Sequence, residues 1–461
     1  NDCPAMADGT AASGKFPSLL VSFTSYGRKD SNAGNDLRDF ARKGYAVVRC
    51  NTRGSQGIGG AVPSRPESIA LVDPFSPQEA HDNYDVIEWI ATQSWSTGKV
   101  GQVGTSYGGI TSMRVAALAP PHLAAVIPIE ATHDIYRDFA RPGGTELAPD
   151  GGDVRGGWAS GCSLYTGEAT CSDRIPAEWS SHPTFDAFWE ARVADLQAIT
   201  VPVLFMSGFH DIWMEAQDRR WPALSNRDDV ASVIGQWPHT FPERQGFSPE
   251  AKNMYLAWFD HWVADIKTAP LPAKATVQVA DSKRWDGYAA WPPLSSEVQS
   301  FYLNSSGLSN EAATASTAQL DTTAGGTTQT LTFESLPFTG ARTLAGPVEL
   351  QLTVSFTAPD ANIAVNLLSR GTDGVLTEIG YPVFKRASHF ESDITPQPRV
   401  AGRTYTQTLT IPSRYWTFEP GERLVLTVSG SHPFLLNNQP AGTITVSLGD
   451  QSFIRVPMLE Q

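Results

Sequence analysis

Short apolar runs recur along the first part of the chain, each ending in a polar loop. Those over residues 18–23, 45–50, 99–103, 123–129, 201–206 and 230–234 read as strands buried on both faces. Helical signals fall between them. Ser76-Pro77-Gln78-Glu79 supplies an N-cap, a proline at the first helical position and a capping-box glutamate, which predicts a helix to about Gln93 with Ala80, Tyr84, Ile87 and Ala91 on its apolar face. A second helix is predicted over 107–118, stopping before Pro120-Pro121. A third is expected over about 184–196, carrying Phe185, Phe188, Trp189 and Val193, and Ser248-Pro249 opens a last one with a stripe of Met254, Trp258, Phe259, Trp262 and Ile266. Strands alternating with helices call for a mostly parallel sheet covered on both faces.

Two changes of period set the domain organisation. Between residue 136 and about 181 both periodicities fade into loops bearing Gly, Asp and Cys; with the helix that returns the chain to the sheet, this predicts a small cap inserted at about 136–198. Past Pro270-Leu271-Pro272 the pattern becomes strict alternation, as in Val348, Leu350, Leu352, Val354 and Phe356, then Ile363, Val365 and Leu367, and later Ile444, Val446 and Leu448. Short alternating strands with Gly, Thr and Ser loops predict an all-β sandwich, a jelly roll. The expected division is therefore an α/β domain over 1–270 and a β domain over 271–461, and 461 residues suffice for more than one core.

Charge narrows the partners. Thirty-four basic against 48 acidic residues leave a net charge of −14 with no Lys/Arg cluster, so nucleic acid is an unfavourable partner. No stretch of apolar residues is long enough to predict a membrane span. No surface pattern specifies an oligomeric state. The four cysteines lack metal-type spacing; Cys162 with Cys171, and Cys3 with Cys50, are expected disulfides, and the start at Asn1 without Met or leader fits a processed chain. Together these predict a secreted or periplasmic location, where disulfides persist.

The candidate chemistry begins at Gly104-Thr105-Ser106-Tyr107-Gly108, a G-x-S-x-G turn between a predicted strand and a predicted helix. A sharp turn that exposes a serine hydroxyl leaves no room for side chains two positions away, and Gly104 and Gly108 supply that clearance. Such a serine needs a general base, itself oriented by a carboxylate. His239 is the preferred base, because Gly235-Gln236-Trp237-Pro238-His239 follows the last apolar strand and so lies at the same sheet edge as Ser106. Asp211, just after the strand at 201–206, is the preferred acid; His210 and Asp134 are the weaker alternatives, and His261 reads as a packing residue. Neither metal nor organic cofactor is required. The Tyr107 N–H is one expected oxyanion donor. With no HGGG-type loop, the Tyr26 hydroxyl is the candidate for the other. Phe209, Trp213, Trp237 and Phe241 flank these loops and are candidates for an aromatic acyl pocket.

These residues resemble the cocaine esterase and X-prolyl dipeptidyl peptidase group of α/β-hydrolases. Arg53-Gly54-Ser55-Gln56-Gly57 is similar to its Arg-Gly loop, the stretch 82–107 follows its pattern nearly throughout, and 202–211 with 235–239 resemble its acid and histidine loops. Ser429-Gly430-Ser431-His432-Pro433-Phe434 extends the likeness into the β domain. The resemblance implies that a tyrosine hydroxyl completes the oxyanion hole, by position Tyr26. Ser25 stands where the family has a proline, and the cap is smaller than the family's.

The expected activity is hydrolysis of an ester or amide in a small molecule or short peptide, with an esterase favoured. An exopeptidase acting after proline, or an amino-ester hydrolase, would need a carboxylate for the substrate ammonium; Glu130, Glu146, Asp150 and Asp153 lie near enough in sequence. From a different class, a carbohydrate-binding or adhesion protein with a vestigial hydrolase domain would fit the β-sandwich. An intact Ser106, Asp211, His239 and Tyr26 set argues against it.

Overall fold

The computed structural model describes residues 14–25, 39–54, 73–148, 155, 174–242, 248, 250–280, 283–322 and 329–459. Its first layer is an eight-stranded sheet built from β1 (Phe16–Thr24), β2 (Ala46–Asn51), β3 (Ser96–Thr105), β4 (Leu123–Ile129), β5 (Val203–His210), β6 (Val230–Pro238), β7 (Ala275–Gln278) and β8 (Trp285–Tyr288). The spatial order is β2-β1-β3-β4-β5-β6-β7-β8. Neighbours from β2 to β7 run parallel, and β8 closes the edge antiparallel to β7. The sheet therefore runs past the expected division at residue 270.

Helices cover both faces because the central strands are apolar on both. The helix α1 (Pro77–Thr92) begins where the capping signal predicted, with Ser76 Oγ accepting from the Glu79 amide at 3.2 Å. It lies with α2 (Tyr107–Ala116) on one face, in a core that includes Ile87, Ile90, Ile110 and Met113. On that side the insertion contributes α3 (Arg174–Ser181) and α4 (Ala187–Glu190), and α5 (Met214–Leu224) adds Met214 and Trp221 to the same core. The opposite face is covered by α6 (Ala251–Trp262), whose Tyr255, Trp258 and Phe259 pack with Leu19, Val103, Ile127 and Val233.

The expected helix over 184–196 is a correction. It is a single turn, α4, because the Asp186 carboxylate caps the Phe188 amide at 3.0 Å and Asp195, with extended backbone, starts a separate short turn. The insertion is nonetheless an aromatic layer: Phe139 meets Trp179 edge-on and Trp213 at a tilt, at centroid distances of 5.5 and 5.7 Å, and Tyr136 meets Trp189 at 5.5 Å.

The rest of the chain forms two antiparallel sheets, of seven and five strands, centred on Arg342–Phe356 and Asn362–Arg370. Alternate residues such as Leu350, Leu352, Val354, Ile363, Val365 and Leu367 meet in one shared core, as the period-two pattern requires. The two domains share a seam. Trp291, Ala345 and Tyr415 belong to the core of the α/β domain, and Asp218 on α5 accepts from the Ser413 amide and hydroxyl at 2.6 and 2.7 Å. The β domain also clamps the insertion: Ala148 N donates to Phe434 O at 2.8 Å, and Leu436 N to Glu146 O at 2.8 Å. Gly143 has φ +57°, and a Cβ there would overlap the Phe384 carbonyl. Among the described residues no helix is long and apolar enough to cross a membrane.

Candidate active site

Four adjacent strands, β3 to β6, end at one edge of the sheet, and each delivers one polar residue there: Ser106, Glu130, Asp211 and His239. Register fixes them. Thr105 pairs with Ile129, Ile129 with Met206, and Gly208 with Gly235, so the four loops leave at nearly the same level.

Ser106 sits between β3 and α2 with φ 59° and ψ −122°, a conformation that L-residues rarely adopt. The turn is held by the Ser106 amide donating to Ile129 O at 2.9 Å. Its tightness explains Gly104, where a Cβ would come 2.7 Å from Gly108 Cα, and Gly109, where one would come 2.7 Å from Ala131 Cβ; the clearance expected at Gly108 is a correction, since a Cβ there would meet nothing closer than Ser22 at 3.4 Å. The serine hydroxyl thereby leaves the sheet edge pointing at His239, with Oγ 2.9 Å from Nε2. On its other side the imidazole Nδ1 lies 2.5 Å from Asp211 Oδ2. A carboxylate only accepts, so Nδ1–H donates to Asp211 and Nε2 faces the serine O–H as an acceptor. Asp211 is buried, and its Oδ1 takes the Trp213 amide at 2.7 Å. Below it Arg220 is fully buried, donating to Ala131 O and, at 3.0 Å, to Ser207 Oγ. Burial lowers the Arg220 guanidinium to about 9, against the pull of Asp211 and Asp218.

The alternative partners lie elsewhere. His210 faces Gln236 and Arg414 at the domain seam, and burial lowers it to about 4. Asp134 takes the Arg137 amide at 2.9 Å and pairs with that side chain, and His261 packs on Trp262 of α6.

Tyr107 opens α2, where amides aim out past the helix N-terminus. Its ring is buried against Phe75 at 4.4 Å, and its hydroxyl hydrogen-bonds Glu79. Burial raises the Glu79 carboxyl to about 7. Tyr26 lies outside the described residues, as do Cys3, Cys162 and Cys171, so neither expected disulfide is among the described contacts.

The expected acyl pocket is a correction for three of its four residues. Phe209 is buried at the seam against Trp291 and Tyr415, Trp237 lies in the core beneath α6, and Trp213 is buried with its ring at 90° to that of His239. Phe209 and Trp237 lie on strands covered on both faces, so each is core whichever face it takes, and Trp213 is packed into the start of α5. Phe241 alone is partly exposed, beside a small hollow lined by Ser22, Gly104 and Tyr255.

The ammonium candidates divide likewise. Glu130 is fully buried behind His239, and Glu146 accepts from Asn438 Nδ2 at 3.1 Å; Asp150 and Asp153 lie outside the described residues. Glu130, Asp211 and His239 place ligating atoms within 4.8 Å of one another, and His239 Nδ1 and the Thr240 N–H are directed at these carboxyls. The place of Glu130 behind the histidine had no signal in the sequence beyond its position after a strand, and Arg220 had none.

Similarity to known proteins follows the same division of the chain. A family model described as X-Pro dipeptidyl-peptidase (S15 family) matches residues 4–241, and one described as the X-Pro dipeptidyl-peptidase C-terminal non-catalytic domain matches 270–455. The cocaine esterase of Rhodococcus sp. is 23% identical over 91% of this chain and 87% of its own. A putative Xaa-Pro dipeptidyl-peptidase of Bacillus anthracis is 23% identical over 59% of this chain, and the match spans only 48% of that protein. Among solved structures, a CocE/NonD family hydrolase from Staphylococcus aureus superposes with a TM-score of 0.80 at 21% identity, covering 99% of this chain and 92% of that one. An α-amino acid ester hydrolase does so at 0.75 and 19%, covering 98% and 95%, which establishes the shared fold. With the S15 model spanning more than half of its residues, the chain belongs to the X-Pro dipeptidyl-peptidase (S15) family of hydrolases.

Proposed function

We propose that the protein is a serine esterase in which Ser106 is the nucleophile, His239 the general base and acid, and Asp211 the group that orients the histidine. The observation that carries this is the continuous hydrogen-bond chain from Ser106 Oγ through both imidazole nitrogens to Asp211, at 2.9 and 2.5 Å. The Ser106 proton passes to Nε2 as Oγ bonds to the substrate carbonyl carbon. The tetrahedral intermediate collapses by breaking the bond to the leaving oxygen, which takes that proton from Nε2. Water then repeats the sequence on the acyl-enzyme and releases the acid. The Tyr107 amide and the Tyr26 hydroxyl are the proposed oxyanion donors, each worth about 2.7–4 kcal/mol.

Ester substrates are favoured over dipeptidyl ones because neither described candidate for an ammonium anchor is available: Glu130 faces inward and Glu146 holds Asn438. The test compares kcat/KM on p-nitrophenyl esters of graded acyl length with that on Ala-Pro and Gly-Pro p-nitroanilides. Ester turnover without anilide cleavage is expected; preferential anilide cleavage would make the protein a peptidase.

A further inference from the structure

Behind His239 lies a second carboxyl that the serine–histidine–aspartate arrangement does not require. Glu130 is fully buried at the end of β4, with a backbone φ of 44°. Its Oε2 accepts from the Thr240 amide, the residue after His239, at 2.6 Å, and lies 3.5 Å from His239 Nδ1. Its carboxyl lies within 4.8 Å of the Asp211 carboxyl, and its Oε1 is buried with no hydrogen-bond partner among the described residues. Two carboxyls and one imidazole nitrogen thus crowd into a space that water does not reach.

The geometry points to Glu130 as a positioning residue of the acid–histidine pair: a neutral carboxylic acid set beside Asp211, whose Oε2 clamps the His239 loop through the Thr240 N–H. This rests on the proposed roles of Ser106, His239 and Asp211. Two carboxylates this close do not both stay ionised away from water, and one proton held on Glu130 removes the repulsion. The Glu130 carboxyl is the one held protonated, pushed well above the usual carboxylate range by burial first and by the neighbouring Asp211 charge second. The charged or titratable groups facing it are Asp211 and His239, with Arg220 on the far side of Asp211 and bonded to the Ala131 carbonyl. The pair then carries a single negative charge against the imidazolium that forms in each transition state. Glu130 orients the His239 loop, and touches no reacting atom.

Glu130→Gln and Glu130→Ala, with Ser106→Ala alongside, test this on p-nitrophenyl ester turnover across pH. Glutamine keeps a neutral donor and acceptor, so E130Q should hold kcat within about threefold and leave the acid limb of kcat/KM where it is. E130A frees the loop and should lose about 10- to 100-fold in kcat with KM little changed. An ionised Glu130 would instead raise the His239 pKa, and E130Q would then move the acid limb down by about 1–3 pH units, which overturns the proposal. E130A with wild-type kcat overturns it as well. Should E130A not fold, the E130Q profile decides alone. Inactive S106A beside fully active E130A contradicts only the role of Glu130; active S106A contradicts the reading of the serine itself.

Discussion

Ser106 is held at positive φ by a bond from its amide to Ile129, and its hydroxyl by His239, so the site's reactivity depends on which imidazole tautomer prevails. Asp211→Asn keeps the shape but lets an amide donate where a carboxylate accepts, favouring the wrong tautomer. A loss of about 10⁴ in kcat with an unchanged melting temperature is expected, measured by steady-state kinetics and calorimetry. Glu79, beneath the neighbouring Tyr107, gives a pH signature of another kind. Its carboxyl rises in the fold from an ordinary 4.5 to about 7, chiefly by burial. The stability it contributes is therefore complete below about 4.5 and is lost as pH rises through about 7, on the order of 3 kcal/mol in all. Glu79→Gln should flatten the fall in melting temperature across that window; an unchanged slope would remove Glu79 as its source. Ser106, Asp211 and His239 could be picked out in the sequence because each follows an apolar run and lands at one sheet edge by register. Glu130 follows such a run too, but its burial comes from the loops that close over it, and a sequence carries no local mark of that.

At the scale of elements, β5 and β6 set the distance between the proposed acid and base. Gly208 on β5 lies against the Trp237 backbone of β6, and a Cβ there would overlap the Trp237 carbonyl. Gly208→Ala must spread the two strands just before Asp211 and His239. A cost of about 1–3 kcal/mol is expected, with kcat falling more than KM rises, and a fully active, equally stable variant would show the two loops to be set by something else. The mostly parallel sheet and the start of α1 were written in the sequence as alternating apolar runs and helices and a capping box. The broken helix at 184–196 was not: its aromatic stripe is real, but the Asp186 and Asp195 carboxylates compete for the same backbone amides and divide it.

The whole molecule is more continuous than its two folding patterns suggest. β7 and β8 follow residue 270 yet complete the first sheet, and Trp221 donates to the Trp291 carbonyl at 3.2 Å across the seam. A chain cut after 270 would lose both strands and expose Phe209 and Trp221, each worth about 1.5–3 kcal/mol when buried, against a total stability of roughly 5–15 kcal/mol. No cooperative unfolding transition is expected from it; a sharp melt with retained ester turnover would show the α/β domain to be independent. The change to strict alternation marked the β domain in the sequence, but the seam depends on single long-range partners such as Asp218 with Ser413, which no period reveals. The central claim concerns one atom, and the most direct measurement is titration with a fluorophosphonate followed by mapping of the modified peptide. The account predicts one equivalent bound at Ser106 and ester turnover falling in proportion to it, whereas label on another residue, or turnover that survives full modification of Ser106, would contradict it.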